Sequence, residues 1–175
     1  MNIFVLNSGR CGSTTFIRAC SHITNYTSAH ESRTRLVGAD RFAYPPNHIE
    51  ADNRLSWLLG RLQRHYPNEV CYVHLTREIE ACTTSFVKRA HFGIIKAYRE
   101  GILMGASTPS DEVLAADYLD TVESNIALFL SNKPVVYQVR LEQAETDFKR
   151  FWKGIGAQGD LSAALAEWRI RHNAS

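Results

Sequence analysis

The feature that most constrains this 175-residue chain is a strand, a loop and a helix at its beginning. Ile3–Leu6 is an apolar run that is too short for a helix, so it predicts a buried strand. Ser13–Ile23 carries apolar residues at helical spacing and predicts a helix. Between them lies the loop Asn7–Thr15, whose two glycines allow backbone angles that other residues resist.

Similar apolar runs and helical patterns alternate along the rest of the chain. Val70–Leu75 and Pro134–Val139 predict two more buried strands, and the polar stretch Ser28–Arg35 predicts a loop. The stretch Gly93–Pro109 is less regular and is a candidate mobile segment. Helices are predicted at Ala51–Arg64, Ile79–Phe92, Asp111–Leu130, Leu141–Trp152 and Leu161–Arg169. Such alternation is typical of one α/β domain over residues 1–175, with a central parallel sheet flanked by helices.

The composition excludes several classes of protein. The net charge of +2 is too small to indicate nucleic acid as a partner, and no apolar run approaches the ~18 residues of a membrane span. The beginning of the chain lacks the basic and apolar segments of a signal peptide. Cys11, Cys20, Cys71 and Cys82 have no zinc-ligand spacing with one another or with His. We therefore expect reduced thiols, no metal and a cytoplasmic location.

The loop Asn7–Thr15 has the parts of an anion site. Its glycines let successive N–H groups face one concavity, and the helix that follows adds its positive N-terminal end. Arg10 adds a permanent charge, and Ser13, Thr14 and Thr15 add hydroxyl groups. The nucleoside-triphosphate pattern G-x-x-x-x-G-K-[ST] and the dinucleotide pattern G-x-G-x-x-G are both absent.

The segment Ser8–Phe16 resembles the 5′-phosphosulfate loop of sulfotransferases that use 3′-phosphoadenosine 5′-phosphosulfate (PAPS). In that family a Lys or Arg precedes a small residue, a glycine and two hydroxyl residues. Arg10, Gly12, Ser13 and Thr14 fall on those positions. The resemblance implies a P-loop-like three-layer fold and a cofactor site made by Gly9, Arg10, Cys11, Gly12, Ser13, Thr14 and Thr15.

A second motif of the same family follows the strand Val70–Leu75. The family has an Arg at the end of a later strand and a Ser eight residues further on, and both bind the 3′-phosphate of the nucleotide. Arg77 and Ser85 have this spacing, which lets them share one face of a helix. Arg suits a phosphate because its planar fork donates two parallel hydrogen bonds.

The loop after the first helix supplies candidates for the base. Sulfotransferases of the tyrosylprotein type, which this chain resembles here, have a Glu and an Arg two residues apart after that helix, as Glu31 and Arg33 are. We expect Glu31 to accept the acceptor's proton, Arg33 to orient it or stabilise charge, and Arg10 to stabilise the leaving phosphate. His30 is the alternative base, because other branches of the family use His.

A further candidate motif directly follows the predicted helix Leu141–Trp152. Lys153 and Gly154 resemble a remnant of the basic, glycine-containing loop that closes over the adenine in this family.

The expected reaction moves a sulfuryl group from PAPS to a hydroxyl or amine of a small-molecule or glycan acceptor. Two alternatives remain: a P-loop-like nucleotide kinase, which would need magnesium and ATP, and a module that binds a phosphorylated ligand without turnover.

Overall fold

The strand, loop and helix at the beginning of the chain form as predicted and lie at the centre of the fold. The computed structural model describes residues 1–105 and 110–170. Strand β1 is Asn2–Leu6, and all five of its residues are buried. Helix α1 is Ser13–Cys20, slightly shorter than predicted. Burial on both faces is what an apolar run in the middle of a parallel sheet produces.

Four more strands and six more helices follow in the described part of the chain. The strands are β2 Thr27–His30, β3 His48–Ala51, β4 Val70–Thr76 and β5 Val136–Arg140. The helices are α2 Leu59–His65, α3 Ile79–Val87, α4 Gly93–Ala97, α5 Asp111–Leu130, α6 Ala144–Gly154 and α7 Leu161–Ala166. Shorter 3₁₀ turns are Asp40–Phe42, Asn53–Trp57, Leu141–Gln143 and Glu167–Arg169, and Tyr98–Ile102 is a π-helical turn.

The strands form one parallel sheet in the order β2-β3-β1-β4-β5. From β1 the chain first moves through α1 toward β2, and later crosses back to β4 and β5 on the other side. Right-handed crossovers in opposite directions put their helices on opposite faces of the sheet. The predicted α/β fold, a central parallel sheet flanked by helices, is therefore confirmed.

Aromatic side chains pack the helices against each other on both faces. On one face Phe16 of α1 contacts Phe148 of α6 with ring centroids 5.5 Å apart. On the other face Tyr118 of α5 contacts Phe86 of α3 at 5.0 Å. These two aromatic clusters fix α1 and α3, which are the helices that begin next to the carboxyl ends of β1 and β4.

Strand β3 is the main departure from the prediction. The predicted helix Ala51–Arg64 is wrong at its start, because Ala51 ends β3 and helix α2 begins only at Leu59. The pattern of His48 and Glu50 does not resemble a buried strand. Both are nevertheless buried, because their polar groups have partners elsewhere in the fold, including each other at 3.0 Å.

Smaller differences concern the segments next to the cavity described below. The predicted loop Ser28–Arg35 begins inside β2, and the predicted helix Ile79–Phe92 ends at Val87. The stretch Gly93–Pro109 contains α4 and the π-helical turn, and residues 106–109 lie outside the described residues. None of the described helices is long and apolar enough to span a membrane.

Candidate active site

A cavity of about 890 Å³ opens at the carboxyl ends of the strands. Arg10, Glu31, Arg54 and Arg77 line it, and they follow β1, β2, β3 and β4 respectively. The strands β1 and β4 are neighbours whose outgoing helices lie on opposite faces. Open α/β sheets bind their ligands at such a switch point, so the topology itself makes this cavity the candidate site.

The loop after β1 forms the floor of the cavity and depends on its two glycines. Gly9 and Gly12 have φ angles of 96° and 87°, in the region that favours glycine. A Cβ atom on Gly9 would lie 3.0 Å from Nδ2 of Asn53, and one on Gly12 would lie 2.8 Å from Cδ1 of Leu141. Arg10, between them, also has a positive φ of 60°. Three left-handed residues so close together make the loop a tight concavity.

Buried groups hold this loop from behind. The side chain of Asn7 accepts a hydrogen bond from the N–H of Gly9 at 2.9 Å. The hydroxyl of Ser56 donates to the carbonyl of Asn7 at 3.0 Å, and that of Tyr118 donates to the carbonyl of Ser8 at 2.6 Å. Burial raises the pKa of the Tyr118 phenol, so it remains a donor at neutral pH. The loop is therefore fixed before any ligand arrives.

The side chain of Cys11 also lies behind the loop and does not line the cavity. Its sulfur is 3.8 Å from that of Cys82, and its thiol donates to the carbonyl of Gly9 at 3.0 Å. The hydrogen bond with Cys82 and burial both raise the pKa of Cys11, so its thiol is protonated. The described cysteines are free thiols, as predicted.

Three side chains from the two predicted phosphate motifs meet at one end of the cavity. Nε of Arg10 donates to the hydroxyl oxygen of Ser85 at 2.8 Å. Nη1 of Arg77 donates to the carbonyl oxygen of Arg10 at 3.3 Å. Arg10 is 75 residues from Ser85 along the chain, so the fold and not local sequence brings them together.

Positive charge is concentrated in this cavity. Among its described lining residues, Arg10, Arg54, Arg77, Lys88 and Arg89 are basic, and Glu31 is the one acid. Burial lowers the pKa of the Arg10 guanidinium, and the nearby positive charges of Arg89 and Arg77 lower it further. Repulsion among these guanidiniums would be relieved by a bound anion, and a polyanion would relieve it most.

The part of the cavity wall that follows β2 and β3 carries the groups that can accept a proton. Nε2 of His30 and the hydroxyl of Ser13 are 2.9 Å apart, so His30 lies next to the loop. Glu31 follows it, and its carboxylate pairs with Nη1 of Arg54 at 3.1 Å. The two side chains of this pair are 36% and 37% exposed, so the carboxylate stays accessible from the cavity. A basic loop and a nearby carboxylate suit transfer of an anionic group to a hydroxyl or amine.

The structure brings most of the predicted residues to the cavity and leaves some outside it. Those that line it are Gly9, Arg10, Gly12, Ser13, Thr14, Thr15, His30, Glu31, Arg77 and Ser85. Arg33 instead donates to the carbonyl of Asp40 at 2.9 Å and lies over the ring of Tyr44. Lys153 and Gly154 end helix α6, where Gly154 packs against Tyr137, and neither lines the cavity.

Several lining residues were not predicted from the sequence. Arg54 stands where Arg33 was expected, beside Glu31, although 23 residues separate the two members of the pair. The others include Asn53, Lys88, Arg89, Leu141, Trp168 and Ile170. Lys88 and Arg89 follow Ser85 closely enough that their positive charges were a usable signal. Arg54 had no such signal, because its position depends on β3.

The described residues contain no group of three or more His, Cys, Asp or Glu side chains arranged to hold a metal ion. That a metal is not needed stays a prediction.

Two solved sulfotransferases have a similar fold. The sulfotransferase domain from the curacin biosynthetic pathway matches with a TM-score of 0.64 and 15% identity, over 97% of this chain and 78% of that one. Mouse sulfotransferase SULT7A1, complexed with PAP, matches with a TM-score of 0.56 and 15% identity, over 96% of this chain and 62% of that one. No protein-family model and no curated protein matches the sequence. The chain therefore has a sulfotransferase-like fold.

Proposed function

We propose that this chain is a PAPS-dependent sulfotransferase, one sulfotransferase domain over residues 1–175. The observation that carries the proposal is the meeting of two phosphate motifs in one cavity. Arg10 of the first motif contacts Ser85 of the second at 2.8 Å, and Arg77 contacts the backbone of Arg10. A donor with phosphate groups on both the 5′ and the 3′ positions of its ribose is a ligand that would contact both motifs at once.

The residues fit such a donor. The loop Gly9–Thr15 and the beginning of α1 would hold the 5′-phosphosulfate, since their N–H groups and hydroxyls surround one concavity. Arg77 and Ser85 would hold the 3′-phosphate. Arg89 is close enough to lower the pKa of Arg10, so its positive charge would also act on this phosphate. A cavity of about 890 Å³ has room for a nucleotide and an acceptor.

The donor supplies the sulfuryl group, and the chain positions it and moves one proton. Glu31 accepts the proton from the acceptor's hydroxyl or amine, and Arg54 holds the Glu31 carboxylate by the ion pair at 3.1 Å. Arg10 and the loop N–H groups stabilise the negative charge that grows on the leaving phosphate. His30, hydrogen bonded to Ser13, is the alternative base. We propose a small-molecule or glycan acceptor and a cytoplasmic location.

A transfer assay tests this function. Purified protein is incubated with sulfur-labelled PAPS and a mixed panel of phenols, sugars, lipid alcohols and peptides, with and without EDTA. We expect labelled product that depends on Glu31, is unaffected by EDTA and does not form from labelled ATP. Phosphoryl transfer from ATP that EDTA abolishes would support a kinase instead. Tight binding of PAP, the product 3′-phosphoadenosine 5′-phosphate, without transfer to any acceptor would support a binding module.

A further inference from the structure

Strand β3 and the residue after it carry three polar side chains at alternate positions. One residue lies between His48 and Glu50 and one between Glu50 and Asp52, so the three side chains point to the same side of the strand. They are 5%, 0% and 0% exposed, which is unusual for ionisable residues in the middle of a sheet. Buried carboxylates persist only where each has partners. Their partners lie in the segments that carry the candidate base and its arginine.

Glu50 holds the residue next to Glu31. Its Oε1 accepts a hydrogen bond from the backbone N–H of Ser32 at 2.7 Å, and its Oε2 accepts one from the Ser32 hydroxyl at 2.7 Å. Nε2 of His48 contacts the same Oε2 at 3.0 Å. Glu50 therefore ties the loop after β2 to strand β3. The tie is made through Ser32, which directly follows the candidate base Glu31.

Asp52 holds both sides of the Glu31–Arg54 pair. Its Oδ2 accepts hydrogen bonds from the hydroxyl of Thr34 at 2.6 Å and from Nη2 of Arg41 at 2.5 Å. Its Oδ1 accepts from the backbone N–H of Arg54 at 2.9 Å and so begins the 3₁₀ turn Asn53–Trp57. One carboxylate thus fixes the loop that contains Glu31 and the turn that contains Arg54.

The backbone of Glu31 needs such support. Its φ of 52° is in the left-handed region, which is strained for a residue with a side chain. The N–H of Glu31 bonds to the carbonyl of Ala51 at 3.0 Å, which is one tie to β3. Without the additional ties through Ser32 and Thr34, the loop could relax to an ordinary conformation, and the carboxylate would leave Arg54.

We propose that Glu50 and Asp52 are positioning residues that fix the Glu31 carboxylate against Arg54 in the cavity. Neither lines the cavity, so they act through the loop and not on a substrate. This inference rests on the proposed function for the role of Glu31. The polar side of β3 thereby aligns Glu31 with the loop after β1, the neighbouring strand.

The test removes the two hydroxyl ties and leaves the buried carboxylates in place. The double variant Ser32→Ala/Thr34→Val deletes two hydroxyls, while Glu50 keeps the Ser32 N–H and His48, and Asp52 keeps Arg41 and the Arg54 N–H. Folding should therefore be retained. Ser131→Ala is the control, because it too deletes a hydrogen-bonded hydroxyl. That hydroxyl donates to the carbonyl of Leu128 at 2.8 Å, at an exposed helix end far from the Glu31 loop in the sequence.

We expect amide hydrogen exchange at residues 31–36 to rise about tenfold or more, since hydrogen bonds to charged groups are lost. We also expect kcat to fall about tenfold with unchanged KM for PAPS and unchanged affinity for PAP. The conservative pair Ser32→Thr/Thr34→Ser, which keeps both hydroxyls, should restore kcat. Ser131→Ala should change neither exchange nor kcat.

Two results would overturn the inference: unchanged exchange at residues 31–36, or unchanged kcat while that exchange rises. A kcat loss matched by an equal loss of PAP affinity would also overturn it, because it would mean general loosening of the site. Failure of the proposed function is separate. It would appear as a wild-type protein without transfer activity, and the exchange comparison would still decide whether the two carboxylates hold the loop.

Discussion

The two walls of the cavity are built in different ways. The wall after β1 and β4 combines the backbone and hydroxyl groups of the loop after β1 with the guanidiniums of Arg10 and Arg77, and Asn7, Ser56 and Tyr118 fix that loop from behind. The wall after β2 and β3 is made of an ion pair between two half-exposed side chains, Glu31 and Arg54, from segments that are far apart in the sequence. The first wall is suited to hold a fixed anion, and the second to meet acceptors and move a proton. We expect changes to the first wall to affect nucleotide affinity and changes to the second to affect turnover.

The largest effect should come from the second wall. Glu31→Gln keeps the size of the side chain and removes the proposed base, so we expect kcat to fall by about 10²–10⁴ with unchanged PAP affinity. Steady-state kinetics and calorimetry measure the two quantities. His30→Gln is the matched variant, and we expect a smaller loss. A larger loss for His30→Gln would make His30 the base.

Arg10→Ala should lower turnover by about 10²–10³, because it removes a proposed donor to the leaving phosphate. It also removes the hydrogen bond to Ser85, so PAP affinity should fall as well. Arg10→Lys keeps the charge and should recover part of both losses. Circular dichroism checks that the fold is intact. Normal turnover in folded Arg10→Ala would remove Arg10 from the mechanism.

Arg77→Ala tests the first wall by itself. We expect PAP affinity to fall about 10- to 100-fold, as for lost hydrogen bonds between charged groups, with a smaller change in kcat. The control is Arg61→Ala, which removes the same charge from outside the cavity. Equal losses of PAP affinity in both variants would mean that only the overall charge of the protein matters. The first wall would then have no specific role in nucleotide affinity.

Gly12→Ala should have the smallest effect, which is on stability. Both Gly12 and Gly38 have positive φ angles, but a Cβ on Gly12 meets Leu141 and one on Gly38 meets open space. We therefore expect Gly12→Ala to lower the free energy of unfolding by about 1–3 kcal/mol, and by more than Gly38→Ala does. Thermal unfolding measures both. The extra loss of unfolding free energy in Gly12→Ala over Gly38→Ala should shrink in a Leu141→Ala background. An unchanged difference would contradict the packing explanation.

The first wall could be predicted from the sequence because its signals are local. The short buried strand, the two glycines and the helix that follows are all within the first 23 residues. Arg77 and Ser85 are likewise eight residues apart on consecutive elements. Strand alternation was enough to predict a central parallel sheet, although only three of its five strands, β1, β4 and β5, were predicted as buried strands.

The second wall depends on contacts between distant parts of the chain. His48 and Glu50 look unlike a buried strand until their partners are known, and Ser32 lies 18 residues before Glu50. Because β3 was missed, Arg54 was not expected beside Glu31. Arg33 was expected there from spacing alone, but its loop turns it toward Asp40 and Tyr44. Residue spacing within a loop does not determine where its side chains point.

The most direct test of the central claim compares PAP with AMP, which lacks the 3′-phosphate, in the wild type and in Arg77→Ala. Thermal shift and calorimetry give the affinities, with ATP as a third ligand. Ligand at 100 times its Kd should stabilise the protein by about 2.7 kcal/mol. We predict that the wild type prefers PAP strongly over AMP and ATP, and that Arg77→Ala loses most of this preference. Equal affinity for PAP and AMP in the wild type, or tighter binding of ATP, would contradict the account.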